Sequence, residues 1–96
     1  MLLETLREQK NLILELAHSY GASDVRVFGS VARGKECAGS DIDILVTLPR
    51  GYDMFLQRIP LSDSLSSILN RNVDLVPEHE LNKHLRDQIL AEAVRL

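Results

Sequence analysis

At 96 residues the chain has the length of one small domain, expected to span 1–96, and 45% hydrophobic with 26% charged residues is enough for a core without the bias of a disordered chain. Cys37 is the only cysteine, which excludes an intrachain disulfide. An N-terminus without a basic or long apolar stretch excludes a signal peptide, and the expected compartment is the cytoplasm. A net charge of −3 argues against a general nucleic-acid-binding surface, and apolar runs of a few residues are too short to cross a membrane.

The first predicted element is a helix over 2–19, where Leu2, Leu6, Ile13, Leu16 and Tyr20 recur at helical spacing and Gly21 ends the run. Residues 25–28 read as a strand, and Gly29-Ser30 turns the chain into a short helical stretch over about 30–35. After a polar loop to residue 40, 41–48 form a second strand, stopped by Pro49-Arg50-Gly51. Residues 52–70 read as helical, with Met54, Phe55, Leu61, Leu65, Ile68 and Leu69 as apolar anchors and Pro60 kinking or splitting the span. A third strand covers 73–76, and a last helix runs from about 80 to the end, where Leu90 and Val94 offer an apolar contact surface. This order predicts an α/β (α+β) fold in which a small three-stranded mixed sheet is flanked by helices. The short link between the first two strands favours an antiparallel pair, because a parallel crossover needs about a dozen residues or more.

Chemistry concentrates between Gly29 and Asp43. From Val25 to Lys35 there is no acidic residue, while Arg26, Arg33 and Lys35 all fall there. Asp41 and Asp43 then follow on a strand, where alternation puts both on one face with Cα atoms about 6.5–7 Å apart. Two carboxylates at that spacing suit Mg²⁺ or Mn²⁺ rather than zinc, and two apposed like charges on a core strand call for a cation. Gly29 permits close backbone approach, and the turn into a helix presents amide N–H groups to a phosphate; Ser30 either adds a donor or serves as a plain N-cap. Arg33, one turn on, either reaches the phosphates or is a solvated surface residue. Asp74, an acid among Val73, Leu75 and Val76, is the best third carboxylate. Asp53 and Asp63 read better as a helix start and a surface residue. His18, His79 and His84 lack metal-ligand spacing.

Gly29-Ser30, ten residues, then Asp41-x-Asp43 resembles the signature of the polymerase-beta-like nucleotidyltransferase superfamily. Phe28-Gly29-Ser30-Val31-Ala32-Arg33-Gly34, Ser40-Asp41-Ile42-Asp43, Val73-Asp74-Leu75-Val76 and Ile89-Leu90-Ala91-Glu92-Ala93 are similar to its minimal nucleotidyltransferase subgroup, so the likeness covers nearly the whole chain. Val31 and Ile44 depart mildly from the pattern.

The resemblance implies that fold, with Asp41, Asp43 and Asp74 catalytic and holding two Mg²⁺ ions, and with Gly29, Ser30, Arg33 and Ser40 binding the nucleotide. It further implies an antitoxin that transfers AMP from ATP to a tyrosine hydroxyl of a partner HEPN-domain ribonuclease toxin, in a hetero-oligomer without direct nucleic-acid or membrane contact. The alternative is an antitoxin that blocks its partner by binding alone.

Overall fold

Residues 2–96, described by a computed structural model, build one sheet of four strands in the order β3-β2-β1-β4. β1 (Ser23–Phe28) and β2 (Ile42–Thr47) run antiparallel, as their short link requires, with Val27 opposite Ile44 and Phe28 opposite Asp43. β3 (Val73–Pro77) lies parallel to β2, Ile42 beside Val73 and Asp43 beside Asp74. β4 (Val94–Arg95) closes the other edge, antiparallel to β1. The expected sheet of three strands is therefore corrected to four. The last helix, α5, spans Lys83–Glu92 and stops short of the end, because the following residues add to β1 instead.

Strand alternation divides the sheet into two faces. Val25, Val27, Ile42, Ile44, Val46, Val73 and Leu75 point to one, where they are buried against Leu6 of α1 (Leu2–Glu8), Ile13 and Ala17 of α2 (Lys10–Ser19), and Leu61 and Leu65 of α4 (Ile59–Leu69). The predicted first helix is thus two, interrupted at Gln9. Leu2, Leu16 and Tyr20 pack at the margin of the core they were expected to enter. The opposite face carries Phe28, Asp43 and Asp74 in a row across three strands. The first face is spent on stability; the other also buries Leu45 but leaves the positions of Asp43 and Asp74 to polar side chains.

Pro60 splits the 52–70 span, as its sequence position allowed: it stands in the first turn of α4, where its missing N–H costs nothing. Ahead of it, Met54–Arg58 forms a π-helical turn started by Asp53, whose carboxylate accepts from the Phe55 and Leu56 amides at 2.8 and 2.9 Å. Met54 and Phe55 are not the anchors their spacing suggested. The wider turn swings Phe55 outward, to 77% exposure. The apolar surface expected of Leu90 and Val94 also dissolves: Leu90 is half-buried and Val94 is paired in β4.

Because Ile44 lies fully buried on the middle strand, Ile44→Ala should lower unfolding free energy by about 2–5 kcal/mol. A urea titration that leaves the midpoint unchanged would contradict this placement of the core.

Candidate active site

The site is assembled where β1 ends and β2 begins. Gly29 has φ +72°, a left-handed conformation that turns the chain from β1 into the single-turn helix α3 (Gly29–Ala32). A Cβ placed on Gly29 would lie 2.2 Å from Oδ2 of Asp43. The glycine is therefore needed twice, for its backbone angle and for the space that the Asp43 carboxylate takes. On the other side of Asp43, register places Asp74 on the neighbouring strand. Side chains in register on one face share a strand spacing of about 4.8 Å. Asp41 lies one residue ahead of β2 rather than within it, exposed at the same end of the sheet.

Asp43 is half-buried, and the cost shows in its acidity. Burial first, then the charges of Asp74 and Asp41, push its carboxyl above the usual carboxylate range, while Arg33 pulls it back. Three aspartates thus share one electrostatic neighbourhood. Among the described residues, no three His, Cys, Asp or Glu side chains are gathered tightly enough to hold an ion as they stand. The strand register aligns Asp43 and Asp74, and the like charges of the three acids act on one another. Hard oxygen donors of this kind fit Mg²⁺, whose charge would offset the repulsion.

The nucleotide-binding candidates fare differently. Ser30 is not the N-cap of α3, a position held by Phe28, and its hydroxyl makes no hydrogen bond among the described residues. Arg33 caps the other end of α3 and ion-pairs with Glu92 at 3.0 Å. Ser40 is occupied in its own loop: its Oγ accepts from the Cys37 amide at 2.7 Å, and its carbonyl accepts from Arg71 at 3.2 Å. Arg26 is buried and bonded to Glu78 at 2.7 Å, a structural pairing remote in purpose from phosphate binding. Cys37 is an exposed free thiol, and Asp63 is exposed on α4.

Two features of the site escape the sequence. Glu92, the last residue of α5, accepts from the Gly29 amide at 3.1 Å as well as from Arg33, and its charge also acts on Asp43. The Ile89–Ala93 stretch carries a family likeness in the sequence, without a role for its acid. An open cleft of about 270 Å³ borders Asp41, between the Ser40 loop and Asn70, Arg71 and Asn72. Asn70 is left-handed, φ 54°, and ends α4, which sets the shape of that wall.

Two variants test this geometry by stability alone. Gly29→Ala should destabilise the fold by roughly 1–3 kcal/mol through the forced φ and the collision with Asp43; an unperturbed melting curve would contradict the close approach. For Asp43, the folded chain holds the proton more tightly than the unfolded chain does. Its contribution is therefore present at low pH and lost as pH rises from the ordinary carboxylate range through the raised folded value. Asp43→Asn should melt above wild type at neutral pH, with the gap closing in acid. A lower melting temperature at neutral pH would refute the strain.

Comparison with known proteins gives the family and the fold. Residues 9–96 match the nucleotidyltransferase domain family. The protein adenylyltransferase MntA of Thermococcus cleftensis is 33% identical, over 98% of each chain. A solved minimal nucleotidyltransferase superposes with TM-score 0.86 at 43% identity, covering 100% of this chain and 97% of that one. A toxin-antitoxin complex with AMP-PNP contains a chain of TM-score 0.75 and 29% identity, with 88% of this chain and 69% of that one covered. A complex of tri-AMPylated Shewanella oneidensis HEPN toxin with MNT antitoxin gives TM-score 0.69 and 25% identity, over 93% and 69%. The chain belongs to the nucleotidyltransferase domain family and is, within it, a minimal nucleotidyltransferase.

Proposed function

We propose that the chain transfers AMP from ATP to a hydroxyl, a tyrosine in the first instance, of a HEPN-domain toxin and so acts as its antitoxin. The observation that carries this reading is the lodging of Asp43 against Gly29 with Asp74 in register beside it. That arrangement joins a phosphate-accepting turn to a row of carboxylates. The similarity to the chain bound to a tri-AMPylated HEPN toxin supports the acceptor class, and the similarity to the complex with AMP-PNP supports the donor.

In this proposal Gly29, Ser30 and Arg33 hold the β- and γ-phosphates. The left-handed turn opens the backbone to them, and the unbonded Ser30 hydroxyl is ready to donate. Asp41, Asp43 and Asp74 would hold Mg²⁺, which when bound supplies charge neutralisation for the reacting phosphate oxygens. The acceptor hydroxyl oxygen bonds to the α-phosphorus, the bond from that phosphorus to the bridging oxygen of the β-phosphate breaks, and pyrophosphate leaves. Asp74 is exposed at the end of the row and takes the hydroxyl proton. Ser40 shapes the loop that presents Asp41, a supporting part rather than a direct phosphate contact.

The test is intact-mass analysis of the partner after incubation with ATP and Mg²⁺. Addition of one or more AMP units is expected, reduced about 10²-fold or more by Asp41→Asn or Asp43→Asn. Undiminished transfer in either variant would overturn the assignment. If both variants lose transfer yet still neutralise the toxin, contact alone silences it, and the antitoxin role no longer rests on catalysis.

A further inference from the structure

Glu92 occupies the donors that the proposed function gives to phosphate. Its Oε1 accepts from the Gly29 amide at 3.1 Å, and its two oxygens take Arg33 Nη1 at 3.0 and 3.3 Å. The side chain is mostly buried, 21% exposed, whereas the Arg33 side chain it holds is 49% exposed. This is a carboxylate seated on one backbone donor and one cationic donor at once, 59 residues and more from either in sequence. It lies in the same charge neighbourhood as Asp43. The neighbouring residues that build β4, Val94 and Arg95, pair with β1 through their backbones, and Arg95 adds an ion pair to Asp24 of β1 at 3.1 Å, so the docking of this segment has contacts of its own apart from Glu92.

We propose that Glu92 is an internal competitor for the triphosphate, a positioning residue that keeps Gly29 and Arg33 in place while the site is empty and must release both when nucleotide binds. The inference rests on the nucleotide-site reading above. Its physical basis is direct: a carboxylate and a phosphate are both anionic acceptors, and the two cannot share one amide and one guanidinium at contact distance without severe repulsion. Glu92 is the last residue of α5 and β4 begins two residues later, so its release loosens the junction between them. Occupancy of the site and the docking of the C-terminal segment on β1 are then linked: each opposes the other through one side chain.

Calorimetric titration of the whole chain with Mg²⁺-ATP, and separately with Mg²⁺-tripolyphosphate, tests this. Glu92→Gln keeps the shape of the side chain and removes its charge, and Glu92→Ala removes the acceptor. Both variants should bind both ligands more tightly than wild type, by about tenfold. A second readout is the Gly29 amide followed by hydrogen exchange. It should be protected in wild type, exposed in Glu92→Ala and protected again once ATP is added, a cycle that a merely structural glutamate would not produce. If wild type binds and both variants bind equally or more weakly, Glu92 is not a competitor and this inference falls alone. If wild type binds neither ligand, the nucleotide-site reading falls and takes this inference with it. Should Glu92→Ala fail to fold, Glu92→Gln decides by the same titration.

Discussion

The approach of the Asp43 carboxylate to the Cα of Gly29 governs the arrangement of this molecule. It requires a residue without Cβ at the end of β1, a left-handed turn there, and an antiparallel register that sets Phe28 opposite Asp43. Once these hold, the amide of Gly29, the short helix behind it and Asp43 of β2 occupy one corner of the sheet. The parallel pairing of β3 then delivers Asp74 to the same corner without a further constraint. The buried face, with Ile42, Ile44 and Val46, fixes which way Asp43 points, since a one-residue slip of β2 would send the carboxylate into the core. Stability on one face and chemistry on the other are thus set by a single register.

That corner is electrostatically unfavourable as it stands. Asp41, Asp43 and Asp74 repel, and Asp43 is a weaker acid than an ordinary carboxyl because of burial and those neighbours. Partial relief comes from Arg33, which is itself shared with Glu92. Such strain at a site is consistent with a place built to receive a cation and an anionic ligand together, each of which offsets one part of the charge.

Much of this was legible in the sequence, for identifiable reasons. Asp43 announces its face through the period of two in a strand, whereas Asp41, expected on the same strand, stands one residue ahead of it, and Gly29-Ser30 marks a strand-to-helix turn. Asp74 stands out as an acid between valine and leucine. The antiparallel first pair followed from loop length. What stayed hidden depended on contacts distant in sequence or on local backbone geometry. Glu92 meets Gly29 across 63 residues, and no periodicity on α5 points to that meeting. β4 has two residues, too few for any alternating pattern, and its existence depends on a free edge of β1. Met54 and Phe55 satisfy helical spacing, yet the π-helical turn carrying them rotates that spacing outward. Ser40, beside the acids, is expected to bind the nucleotide because of its motif; that its Oγ also accepts from the Cys37 amide depends on a loop geometry the motif does not show.

The account stands on the acid row at the start of β2 being the place where a divalent cation binds. The most direct measurement is paramagnetic broadening of backbone amide signals by substoichiometric Mn²⁺. The account predicts broadening centred on Gly29, on 41–43 and on Asp74, suppressed by competing Mg²⁺ and absent from the exposed acids Glu15 and Asp63. Broadening spread evenly over the exposed acids, or centred away from Asp43, would contradict it.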